Sequence, residues 1–139
     1  MTSKGMKRNR INKETRAAVY AKYDGRCAYC GKEIELKDMQ VDHVTAYGQS
    51  VYGNDLDRVN EMINDGSIDN IENLMPSCRA CNYYKNINDI EGLRWRIQNQ
   101  LSHTCIDSFQ ARLAMQYGII EYKPWDGKFY FEKINNSTL

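Results

Sequence analysis

Two pairs of cysteines and one acid–histidine neighbour pair are the residues of this 139-residue chain whose spacing suits chemistry. Cys27-x-x-Cys30 and Cys78-x-x-Cys81 are each followed at once by a turn former, Gly31 and Asn82. Thiolates three positions apart on a tight turn converge on one ion, and two such turns complete the tetrahedron that zinc prefers. Forty-seven residues lie between the pairs. An ion would therefore clamp distant parts of the chain together, and that loop closure would contribute much of the stability of a small domain. The competing use of C-x-x-C is redox chemistry, but neither pair follows a buried strand and opens a helix in a βαβ pattern. Cys105 has no partner and reads as a buried thiol in a helix.

Zinc held by four thiolates is coordinatively closed and hydrolyses nothing itself, so any chemistry lies beside it. Asp42 and His43 stand together in "MQVDHV", where Met39, Val41 and Val44 have the apolar spacing of a short buried strand. Neighbours on a strand point to opposite faces. A lone buried histidine is most often structural, but an adjacent carboxylate followed by "TAYGQS" favours a strand-to-loop edge where both face a cleft.

The elements that must position these residues follow from periodicity. Residues 13–23 predict a helix stopped by Gly25, residues 54–65 a second ending at Gly66, and residues 89–101 a third capped by Asn88 or Asp89. Residues 106–117 predict a fourth, capped by Asp107 or Ser108 and stopped by Gly118. In the tail, an Asp126-Gly127 turn between stretches rich in Ile, Tyr and Phe predicts a β-hairpin. With 42% hydrophobic and 27% charged residues, the chain suits one globular domain, 1–139, rather than a disordered one. No apolar run approaches a membrane span and the N-terminus has no apolar signal core, so the expected setting is the cytoplasm. Net charge is only +1 but polarised: residues 1–26 carry eight Lys/Arg against two acids, and residues 27–84 carry four against ten. A basic arm suits a phosphate backbone and an acidic middle suits a divalent cation.

The order Cys27-x-x-Cys30, Asp42-His43, Asn73-Leu74, Cys78-x-x-Cys81-Asn82, Lys85 resembles the HNH endonucleases with a ββα-metal core, in the subgroup with a structural zinc and a final Asn. The resemblance covers roughly residues 13–88. It implies an α+β fold: a small ββα-metal core over 27–88 with zinc knuckles, preceded by a basic arm and helix (1–26) and followed by a helical extension and C-terminal hairpin (89–139). It implies metal-dependent hydrolysis of phosphodiester bonds in DNA, most simply double-stranded. In that scheme His43 is the general base and Asn73 ties the connecting loop and orients the His43 strand. Asp42 and Asn82 hold one Mg²⁺ or Mn²⁺, hard oxygen donors for a hard cation, while Cys27, Cys30, Cys78 and Cys81 hold zinc. Arg79 and Lys85 are candidate phosphate contacts, with Arg16, Lys22, Arg94 and Arg96 as further ones. Two departures stand out. Thirty positions separate His43 from Asn73, and the glycine pair common after the histidine is replaced by "TAYGQSVYG". The alternative is a zinc-stabilised module of the same fold, catalytically silent, that binds nucleic acid or a protein.

Overall fold

The computed structural model describes residues 11–45 and 56–137, so the first ten residues of the basic arm and the start of the predicted second helix lie outside it. Asn12 opens helix α1 (Lys13–Ala21), its side chain accepting the Thr15 N–H at 2.8 Å, one of the donors a helix start leaves orphaned. The turn after α1 is left-handed at Asp24 and Gly25 (φ 54° and 77°). A Cβ at Gly25 would meet the Tyr20 hydroxyl at 2.8 Å, so glycine serves both the turn and the packing of Tyr20. Val19 faces inward from α1 against Met39 and Leu74.

Strand β1 (Gln40–His43) pairs antiparallel with β2 (Leu74–Ser77), with Gln40 opposite Ser77 and His43 opposite Leu74. Pro76 is tolerated because both strands of a two-stranded ribbon are edges, and its carbonyl accepts the Ala28 N–H of the first cysteine turn at 2.8 Å. Helix α3 (Arg79–Lys85) leaves β2 directly, with Cys78 as its cap residue, completing the ββα unit. Between the strands the chain inserts helix α2 (Leu56–Asp65) and two single 3₁₀ turns, Ser67–Asp69 and Ile71–Asn73.

Beyond the ribbon, Asp89 caps α4 (Ile90–Arg96) by accepting the Gly92 N–H at 2.7 Å. The helix widens into a π turn, Ile97–Leu101, before α5 (Ser102–Ile106). Ser108 then caps α6 (Phe109–Gln116), which stops at Gly118, φ 73°. Cys105, expected to be buried, is exposed on α5, because the short helices of the extension turn much of their surface to solvent. None of the helices among the described residues is long and apolar enough to cross a membrane.

The tail departs from expectation. No strand forms after α6 among the described residues, and Tyr130–Ser137 is helix α7. The Asp126-Gly127 turn is present, Asp126 accepting the Lys128 N–H at 2.9 Å. Directly after it, the Glu132 carboxylate accepts the Phe129 N–H at 2.9 Å, half of a capping box, which starts a helix where a strand was expected. The aromatic spacing read as strand serves packing instead. The Phe129 ring is buried edge-on to Tyr29, with 5.6 Å between centroids, and against Trp125 at 5.1 Å. Tyr130 and Phe131 donate their N–H groups to the carbonyls of Tyr29 and Ala28 at 3.0 and 2.8 Å. The tail is thus fastened to the first cysteine turn. Arg94 closes the clasp: it grips Glu132 through two bonds of 2.9 and 2.8 Å, bonds the Gly127 carbonyl and lies over the Phe129 ring. Phe129→Ala should cost about 3–5 kcal/mol of unfolding free energy, the range for emptying a buried aromatic site. Urea denaturation checks this, and a change under 1 kcal/mol would show that the tail packs loosely.

Candidate functional site

The first feature of the site is the cysteine cluster. The Sγ atoms of Cys27, Cys30, Cys78 and Cys81 all lie within 4.8 Å of one another, with Cys30 and Cys78 at 3.9 Å. Tetrahedral coordination with metal–sulfur bonds of about 2.3 Å puts sulfurs about 3.8 Å apart, so the four residues fit one such ion. Backbone geometry supports the convergence. Gly31 sits at φ 80°, where a Cβ would press on the Tyr130 ring at 2.9 Å, and the Cys81 N–H points at Cys78 Sγ at 3.4 Å. As bare thiols the four cannot ionise together. Cys27 is held at about 4, chiefly by the thiol of Cys81. Burial and the neighbouring sulfurs push Cys30 up to about 11, and Cys81 is driven far up, chiefly by its bond to Cys27.

Asp42 lies on β1 just beyond this cluster and is 4% exposed. Tyr29, the residue inside the first C-x-x-C, donates its hydroxyl to Asp42 Oδ2 at 2.5 Å. Lys85, with a fully enclosed side chain, places its ammonium 3.2 Å from the same oxygen and donates to the His43 carbonyl at 3.0 Å. Burial raises the Asp42 pKa, opposed by the charge of Lys85 and the bond from Tyr29. Burial, then the Asp42 carboxylate, raises that of Tyr29 well above its ordinary value. Lys85 therefore does not meet the expectation of a surface phosphate contact: it is an internal counterion. Asn82 lies close to one turn before Lys85 on α3.

His43, the last residue of β1, turns its ring to a different partner. Its Nε2 is 2.9 Å from Asp69 Oδ1 on the first 3₁₀ turn, and both side chains are about four-fifths buried. Asn73 holds the surrounding backbone. Its Oδ1 accepts the Thr45 N–H at 2.8 Å, while its Nδ2 donates to the carbonyls of Thr45 and Ile68 at 3.1 and 2.7 Å. Asp42 and His43 thus diverge as strand neighbours do, one toward α3 and the knuckle, the other toward Asp69.

Other cations read as phosphate contacts also turn inward. Arg16 donates to the Leu36 and Met39 carbonyls at 2.7 and 2.6 Å. Lys22 donates to those of Ile71 and Leu74 at 2.9 and 2.6 Å. Arg96 bonds the Tyr84 carbonyl and stacks on its ring. Arg79 is exposed, one turn from Tyr83, which is 84% exposed. Sequence reasoning missed Tyr29 and Asp69. Tyr29 was legible only as a knuckle residue, and Asp69 carries no local signal because the insertion separates it from His43.

Residues 27–86 match the family model described as HNH endonuclease. These residues span both cysteine turns, both strands and α3, so the chain carries an HNH-family domain built on its ββα unit. No curated protein matches the chain.

Metal analysis of purified protein should find one ion per chain at the cysteine cluster, and stripping it with a strong chelator should abolish cooperative unfolding. Because Cys30 and Cys81 hold protons when bare, metal binding must displace them, so apparent affinity should fall as pH is lowered. Native-like unfolding after complete metal removal would show that the ion is dispensable.

Proposed function

We propose that the chain is a divalent-metal-dependent endonuclease that hydrolyses phosphodiester bonds in DNA, with zinc as the structural ion of its four cysteines. The observation that supports this reading is the end of β1, where the buried Asp42 turns toward α3 and the adjacent His43 turns its ring toward Asp69, within a segment that matches the HNH family model. His43 takes the proton of a water attacking phosphorus, since imidazole has its ordinary pKa close to working pH. Asp42 and Asn82 supply a carboxylate and an amide oxygen suited to Mg²⁺ or Mn²⁺. When bound there, such an ion neutralises charge on the phosphate and the leaving oxygen. Among the described residues, the cysteines are the one group of three or more His, Cys, Asp or Glu placed to hold an ion. The second cation therefore has few protein ligands, leaving positions for phosphate and water. Asn73 holds the backbone on both sides of the histidine pair, and Arg79 contacts the DNA backbone from the exposed start of α3. A duplex is the substrate the basic arm and open ribbon suit best.

One observation favours a second reading. The Lys85 ammonium already neutralises Asp42 at 3.2 Å and competes with a divalent ion, as expected of a catalytically silent module that binds nucleic acid or protein. The discriminating test is supercoiled plasmid with Mg²⁺ or Mn²⁺. The nuclease reading expects cleavage that His43→Ala lowers by about 100-fold or more, the usual contribution of a general base, and that Asp42→Asn also lowers. Intact plasmid with every divalent ion, together with DNA binding indifferent to Asp42 and Asn82, establishes the silent module instead.

A further inference from the structure

The pairing of His43 with Asp69 goes beyond the motif residues and deepens the nuclease reading, on which its catalytic part rests. An Asp carboxylate only accepts hydrogen bonds, so at 2.9 Å from Asp69 Oδ1 the His43 Nε2 must be the atom that carries the proton. The neutral ring then has its basic lone pair on Nδ1. We propose that Asp69 is a positioning residue: its carboxylate fixes His43 as the Nε2–H tautomer and makes Nδ1 the atom that takes the proton from water.

The fold holds both ends of this bond in place. On the histidine side, β1 ends at His43, the Val44 N–H bonds the Asn73 carbonyl at 2.9 Å, and Thr45 is held through both its N–H and its carbonyl by the Asn73 amide. On the aspartate side, the same amide bonds the carbonyl of Ile68, the residue before Asp69, at 2.7 Å. Ile68 is 1% exposed and anchors the turn. The turn is closed by the Asp69 N–H on the Gly66 carbonyl at 3.2 Å, with Gly66 at φ 82°. One buried side chain, Asn73, therefore ties the two backbones that carry the pair, which is how a supporting shell fixes a reacting group to a fraction of an ångström. Both partners are largely shielded from water, which strengthens their mutual orientation.

The first arm of the test needs no activity. The chain has two histidines, so ¹⁵N-labelled protein with His103→Ala isolates the His43 ring, and long-range ¹H–¹⁵N spectra at a pH where it is neutral report which nitrogen bears the proton. The parent should show Nε2–H. Asp69→Ala should give a mixture of tautomers with the fold retained in its amide spectrum, and Asp69→Asn, which can accept or donate, should lie between. An Nδ1–H ring in the parent, or an unchanged Nε2–H ring in Asp69→Ala, overturns the proposal. The second arm is cleavage. Asp69→Ala should lower kcat by at least about 10-fold, since losing the carboxylate that fixes a general-base imidazole's tautomer can cost up to about 10⁴-fold, with KM for DNA and the half-saturating Mg²⁺ concentration unchanged. Unchanged kcat overturns the positioning role, and a raised Mg²⁺ requirement overturns it in favour of a metal ligand. If the parent cuts nothing, the nuclease reading fails, and the tautomer arm alone decides whether Asp69 sets the ring.

Discussion

Four sulfurs within 4.8 Å of one another are electrostatically costly without a cation, and the convergence of two turns so far apart in sequence depends on meeting that cost. As bare thiols they titrate against each other, Cys27 driven down while Cys30 and Cys81 are driven up. A divalent ion removes the conflict by displacing the protons that Cys30 and Cys81 hold and balancing the charge of the thiolates together, so binding energy becomes folding energy. What that convergence positions is considerable. Tyr29 lies inside the first turn and reaches Asp42, Cys78 caps the helix that carries Asn82 and Lys85, and the tail bonds the backbone of Ala28 and Tyr29. One four-sulfur contact thus sets the register of β1 against α3.

Charge in this chain works inward as much as outward. Arg16 and Lys22 satisfy carbonyls before β1 and at the start of β2, Arg94 clasps the tail, and Lys85 is enclosed with Asp42. A ribbon of two four-residue strands has too few ladder bonds to hold itself. Long cationic side chains can reach stray carbonyls from a neighbouring helix while burying their aliphatic stems. The Lys85–Asp42 pair is the expensive member. Removing either partner would leave a buried charge unmatched, at about 3–5 kcal/mol, yet the pair is the direct tie between α3 and the strand that ends in His43.

The ββα core and its flanking helices were legible because their parts have local causes: cysteine spacing, apolar alternation over residues 39–44, caps at Asp89 and Ser108, and left-handed glycines at 25, 66 and 118. The tail was misread because Phe129 and Phe131 have strand-like spacing, whereas the deciding contacts are with Tyr29, about a hundred positions earlier. The same limit applies at the site. Lys85 follows Asn82 by one turn and was visible, but periodicity could not show that its ammonium points to Asp42 instead of solvent. Asp69 was invisible because an inserted helix lies between it and His43, and nothing local marks a side chain whose partner is tertiary.

The two faces of β1 carry different electrostatics, and the proposed chemistry needs that difference. At Asp42 the ammonium of Lys85 lies 3.2 Å from the carboxylate, so a divalent ion held there in the proposed scheme would draw less on the carboxylate and more on phosphate oxygens. At His43 the partner is an acid, the Asp69 carboxylate 2.9 Å from Nε2. Divergence of strand neighbours, which first reads as an obstacle to a shared site, keeps the Lys85 ammonium beside Asp42 and the Asp69 carboxylate beside the His43 ring, with the strand end between them.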